Sequence, residues 1–153
     1  MSDWSTVGDK AVQHFDSGFN CAESVFLAIT EKLGRGKELV FLATGFGGGV
    51  GRNGSVCGAI SGAVLGVSLV HGRHTATDSR DPSYNIIGEF WKQFTQEFPA
   101  TTCRELTGVD LKTEVGGKEY KERLHNERCC PLVRFAASKM CELLGLNAHY
   151  FSL

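Results

Sequence analysis

Residues 56–70 read VCGAISGAVLGVSLV, and the fold turns on how this stretch is read. It is apolar on nearly every side, as expected of a helix buried in the middle of a domain rather than one lying on its surface. Fifteen residues fall short of the roughly 20 needed to span a bilayer. Gly58, Gly62 and Gly66 recur every four residues, which puts them on one helical face where another backbone can approach closely. Tight helix packing within the chain is the first expectation for that face. Clearance for a cofactor, or contact with a second copy in a homodimer, are the alternatives.

Upstream, Gly45 to Gly54 carries too many glycines for regular structure and is expected to form a loop with left-handed or sharply turned backbone. Ser55 is a plausible cap for the central helix. Lys37 to Thr44 is a short apolar run, read as helix over strand. Asn20 with Glu23 forms a capping box for a helix running through Val25, Phe26, Ile29 and Leu33 to Gly34. Trp4, Val7, Ala11, Val12 and Phe15 mark one face of a first helix that Gly18 closes.

Downstream, His71 to Asp81 reads as a loop ending at the Asp81-Pro82 breaker, and Ser83 to Phe98 as an amphipathic helix. Thr102 caps a short turn that ends at Gly108. Asp110 to Arg128 is charged, contains Gly116-Gly117, and reads as a surface excursion. Pro131 opens a last helix with Val133, Ala136, Ala137, Met140 and Leu144 on its buried face. The expected architecture is all-α: a single-domain bundle of about five to six helices over residues 1–153, with a glycine-rich loop before a buried central helix.

At 42% hydrophobic residues, 22% charged and a net charge of -1, the chain offers no electrostatic excess for nucleic acid or an anionic membrane surface. Residues 1–10 show no export signal, so the cytoplasm is expected. Gly49-Val-Gly-Arg-Asn-Gly54 matches G-x-G-x-x-G by letter. NAD(P) is not expected, because no clear strand precedes the motif and no ribose-reading acid follows about 20 residues on. His71 and His74 are read as helix-end and loop residues in preference to a metal pair. No G-x-S-x-G supports a serine hydrolase.

Six cysteines are more than a reducing-compartment protein of 153 residues ordinarily needs, and too few for a small secreted disulfide scaffold. No Cys-x-x-Cys occurs, so any shared thiol site is assembled by the fold. Cys21, Cys57, Cys103 and Cys129 or Cys130 all fall at expected helix starts. Free amides and the positive end of the helix dipole at such positions are expected to lower a thiol's pKa and to hold a thiolate or an anionic cluster. Arg52 is read as a solvated charge, with thiolate stabilisation as its alternative. Cys141 lies inside the last helix and reads as a small hydrophobe. The Cys129-Cys130 doublet could close a disulfide only through a strained ring, so one of the two is read as the site thiol.

The blocks FNCAESV, FGGGVGRNGSVCGAISG, CRELTG and CCPLV, taken in order, resemble the C-GCAxxG-C-C family of redox-active proteins from Asn20 to about Ala137. Where the family's name has Gly-Cys-Ala, this chain has Cys57-Gly58-Ala59. The resemblance implies four site cysteines, mapping onto Cys21, Cys57, Cys103 and one of the doublet. Cys129 fits the family's closing C-x-x-L-V, with Cys130 as its substitute. A similar cysteine-bearing region occurs in split-Soret cytochromes c, associated with an iron-sulfur centre. This chain lacks Cys-x-x-Cys-His, so no covalent haem is expected.

Three readings follow. The first is an electron-transfer protein whose Cys21, Cys57, Cys103 and Cys129 hold one iron-sulfur cluster and which serves an unidentified redox partner protein. The second is a metal-free thiol-disulfide oxidoreductase with Cys57 as attacking thiol. The third is a structural zinc module with four cysteine ligands.

Overall fold

The computed structural model describes residues 4–145. The rest of the 1–153 span expected to form one domain lies outside the described residues. The described residues are all-α. Their helices are α1 (Ser5–Asp16), α2 (Cys21–Lys32), a 3₁₀ segment (Lys37–Phe46), α3 (Gly58–His71), α4 (Asp81–Glu97), α5 (Cys103–Thr107), α6 (Glu114–Glu119), a π-helical stretch (Tyr120–Cys129) and α7 (Cys130–Leu143). An isolated antiparallel bridge joins Val56 to Thr102. Among the described residues no helix is long and apolar enough to cross a membrane.

The central helix is α3, and the Gly58-Gly62-Gly66 face is filled from within the chain. A Cβ on Gly62 would lie 2.5 Å from Ala22 O, and one on Gly66 would lie 2.9 Å from the Ile29 side chain. The three glycines therefore let α2 and α3 pack at near backbone contact. That use leaves no room on this face for a second chain, so the homodimer alternative loses the surface on which it was raised. At the other end of the bundle Gly8 brings α1 against α7, where a Cβ would lie 2.7 Å from the Arg134 side chain. The main core joins Val25, Ile29, Ile60, Phe90, Phe94, Val133 and Met140, each at most 1% exposed. Burying each of these side chains contributes about 1.5–3 kcal/mol.

Local signals behave as their chemistry requires. The Asn20 side chain accepts from Glu23 N–H while the Glu23 carboxylate accepts from Asn20 N–H, completing the capping box of α2. Thr102 Oγ1 accepts from Glu105 N–H at the start of α5, and Gly108 ends that helix in the left-handed region. Pro82 sits in the first turn of α4 rather than before it, where its missing N–H loses no intrahelical bond.

One reading of the sequence is met in the glycine stretch, and another is corrected further along. Residues 47–50 close helix-like hydrogen bonds, but Gly48, Gly49, Val50, Gly51 and Arg52 all hold φ between 59° and 70°, making a left-handed turn. The glycines make this conformation accessible, yet Val50 and Arg52 adopt it too, at a cost of about 1–2 kcal/mol each. The charged stretch expected as a surface excursion is helical from Glu114 and runs without a break through the π-helical residues into α7. Tyr120 to Cys129 follows i→i+5 bonding, as when Cys130 N–H donates to His125 O, and it buries Leu124.

Candidate thiol centre

The start of α2, the left-handed turn, the start of α5 and the end of the π-helical stretch surround one hollow of about 460 Å³. Cys21, Cys103 and Cys129 line it, together with Asn20, Gly48, Arg52 and Tyr120. Cys57 lies just behind, 5% exposed, at the N-cap of α3. Cys129 feels the charges of Cys21, Cys57 and Cys103, Cys57 those of Cys21 and Cys103, and Cys103 that of Cys21, so the fold gathers the four into one interacting group. All are free thiols.

Local structure accounts for the placement of each thiol. Cys21 begins α2 behind the Asn20 cap, and its sulfur rests against the α-carbon of Gly58, where any Cβ would collide with it. The 3₁₀ segment is pinned beside it: Asn20 Nδ2 donates to Thr44 O at 3.0 Å, and Thr44 Oγ1 donates to Glu23 Oε1 at 2.7 Å. Cys57 and Cys103 flank the Val56–Thr102 bridge. Cys57 N–H donates to Thr101 O at 2.8 Å and Cys103 N–H to Ser55 O at 2.7 Å, which sets the two thiols side by side. Gly49 admits Cys103, since a Cβ there would lie 2.7 Å from Cys103 Cβ.

The expectation of lowered thiol pKa values is corrected. Burial raises Cys57 to about 12, with the neighbouring Cys21 charge adding to it and the amides of Ala59 and Ile60 opposing. Burial and then Cys21 raise Cys103 to about 11, against the pull of the Thr107 hydroxyl and Arg104. Cys21 is raised by burial despite the amides of Gly48, Ala22 and Gly58. Cys129 is raised further, by burial and then by the three other site cysteines. Desolvation of a thiolate outweighs the helix-start amides, and mutual repulsion adds to it. Burial therefore favours the protonated form of the Cys57 thiol over the thiolate.

Cys129 also departs from the common pattern of helix starts. Its backbone lies inside a continuous helix, so no open N-terminus faces it. The doublet divides: Cys129 lines the hollow, while the Cys130 thiol points to Asp16, 4.0 Å away. Cys141 is fully buried within α7 and takes no part. Arg52 lines the hollow, but the cation that acts on a site thiol is Arg104, on Cys103.

Tyr120 is a wall of the hollow that reading the sequence missed. Burial, then the charges of Cys129, Cys21, Cys103 and Cys130, hold its phenol well above the ordinary range, so it stays a neutral hydroxyl. The available signal was an apolar line, Gly116, Tyr120 and Leu124, stepping by four through a charged run.

A family model described as "Putative redox-active protein (C_GCAxxG_C_C)" matches residues 19–143. Comparison with curated proteins and with solved structures gives no match.

Proposed function

The chain belongs to the C_GCAxxG_C_C family of redox-active proteins, and from that premise we propose that it is an electron-transfer protein whose Cys21, Cys57, Cys103 and Cys129 hold one iron-sulfur cluster. The observation that carries this reading is the gathering of four thiols, Cys57 and Cys103 buried and Cys21 and Cys129 half-buried, from four separate segments into one interacting group beside a hollow. Four thiolates packed this closely repel one another and are costly to desolvate, so their ionised form calls for a cationic centre among them.

The donor set fits an iron-sulfur cluster better than a single zinc. Tetrahedral zinc with bonds of about 2.3 Å needs sulfurs about 3.8 Å apart. Among the described residues no three of these sulfurs fall within 4.8 Å of one another. A cluster spreads its four cysteine ligands over a wider inorganic core, and when bound it supplies one-electron transfer. The protein's part is to hold and tune. Amides of Gly48, Ala22 and Gly58 at Cys21, and of Ala59 and Ile60 at Cys57, offer hydrogen bonds to ligand sulfur that favour the more reduced, more negative state. The hydroxyl of Tyr120 and the left-handed turn screen the group from bulk water. The same burial and raised thiol pKa values weigh against the metal-free oxidoreductase reading.

Anaerobically purified full-length protein tests this directly. The expected result is iron and acid-labile sulfide in matching amounts, with a brown absorbance that bleaches on reduction and is lost in Cys21→Ser or Cys57→Ser. Protein with stoichiometric zinc and no sulfide, or one that stays colourless after anaerobic reconstitution with iron and sulfide, overturns it.

A further inference from the structure

Behind the cysteine hollow, on the other side of the doublet, a second set of metal-ligating atoms converges. Asp16 Oδ1, His125 Nε2 and Cys130 Sγ all lie within 4.8 Å of one another. They come from the end of α1, the π-helical stretch and the start of α7. We propose that these three residues form a second metal site, for one borderline-soft divalent cation of the zinc or cobalt(II) class, distinct from the four-cysteine centre and independent of what that centre holds.

The spacing is close to what such an ion requires. Zinc with ordinary bonds to oxygen, nitrogen and sulfur holds these donors about 3.3–3.6 Å apart. His125 Nε2 and Asp16 Oδ1 are 2.9 Å apart, and Cys130 Sγ lies 4.0 Å from the same oxygen. The first pair opens and the second closes by a few tenths of an ångström, within the reach of side-chain adjustment. One thiolate, one carboxylate and a neutral imidazole balance a 2+ charge. Mixed sulfur, nitrogen and oxygen donors select zinc-like ions over calcium or magnesium, which prefer oxygen alone.

The imidazole is held as a ligand would be. Its ring stacks on Phe15 at 3.9 Å and 12°, fixing its plane. Its other nitrogen, Nδ1, is 3.4 Å from the Tyr120 hydroxyl, the outer hydrogen bond that a metal-bound histidine ordinarily keeps. In an α-helix residues five apart point about 140° away from each other. The π-helical turn brings Tyr120 and His125 together despite that spacing, with ring centroids 5.9 Å apart. Cys130 is 9% exposed and the Asp16 side chain 56%, so an ion enters from the Asp16 side, and three protein ligands leave a fourth position for water. Arg134, the cation that acts on Cys130, is paired with Asp9 at 3.2 Å and does not occupy the site. Binding forms a metal-sulfur bond and releases the Cys130 thiol proton to solvent, with no change in oxidation state.

The test is a zinc titration of the reduced full-length protein, followed through the imidazole nitrogen resonances of His125 and assigned with His125→Gln. The titration is run in a Cys57→Ser/Cys103→Ser background, because Tyr120 links His125 to the hollow and the thiols there compete for zinc. The expected result is a saturable shift of His125 Nε2 at one equivalent of zinc, weakened at least tenfold in Cys130→Ser and in Asp16→Asn and unchanged in Cys141→Ala. With cobalt(II) in that background, the site gives a sulfur-to-metal absorption band that Cys130→Ser removes. A His125 signal that does not move in excess zinc, or that moves equally in folded Cys130→Ser and Asp16→Asn, leaves only a histidine-aspartate hydrogen bond and overturns the proposal.

Discussion

Gly58 shows how a single missing side chain builds the thiol centre. It stands one residue after Cys57 and holds the Cys21 sulfur against its own α-carbon, with Phe46 O 3.0 Å from where a Cβ would sit. Neither neighbour can yield easily, since one is backbone and the other a sulfur packed at the start of α2. Gly58→Ala is expected to push Cys21 out of the group, destabilising the fold by about 1–3 kcal/mol and cutting iron loading more than that loss explains. Iron per folded chain, measured beside thermal unfolding, separates the two effects. Full loading in a folded Gly58→Ala chain would show that the contact is incidental. Val50 makes the complementary point, because a β-branched residue adopts φ 64° there at a steric cost. Strain of this kind tends to gather at functional sites, and Val50 lies in the turn that covers the hollow.

At the level of elements, the start of α2 is the most heavily tied junction beside the site. Asn20 caps the helix, accepts from Glu23 N–H at 2.8 Å and donates to Thr44 O, linking helix, cap and 3₁₀ segment through one side chain. Asn20→Ala is therefore expected to cost about 1–2 kcal/mol of stability. Asn20→Asp keeps the cap, loses only the Thr44 donor, and should cost less than half as much. Chemical denaturation of the metal-free variants measures both, and equal losses would show that the Thr44 tie, not the cap, matters. The π-helical stretch is the element least readable in advance. Tyr120, Leu124 and Cys129 step by four and then five, a period that a 3.6-residue template does not register, so the inward line of a largely exposed helix reads as a charged surface excursion.

For the whole molecule, the four thiols of the centre make stability depend on pH. Their protonated forms are favoured by folding, with Cys57 raised to about 12 and Cys103 to about 11 from an ordinary value near 9. A group whose folded pKa is raised supports the fold fully below its unfolded pKa and loses that support as pH climbs through the folded value. The reduced, metal-free protein should hold its stability below pH 9 and then weaken as pH approaches 12, by about 1.4 kcal/mol per pH unit for each thiol involved. Urea midpoints at pH 7, 9 and 10.5 check this, and the fall should be shallower in Cys57→Ala. A parallel fall in that variant would place the titration elsewhere. The same protons must leave when a cation is bound, so loading of the centre should tighten as pH rises.

The sequence by itself determined the helical class, the buried central helix, the Asn20–Glu23 and Thr102 caps, the left-handed character of the glycine stretch, the family and the separateness of Cys141. These follow from periodicity, capping chemistry, backbone sterics and ordered motifs, all of which act within a few turns of chain. Only the tertiary structure decided that the Gly58-Gly62-Gly66 face serves α2, that Tyr120 walls the hollow, and that the doublet sends Cys129 inward and Cys130 to Asp16 and His125. It also reversed the expected thiol pKa shifts. Desolvation depends on everything packed around a sulfur, and that sum over distant segments has no local signature; the helix-start amides, which are local, proved the weaker force.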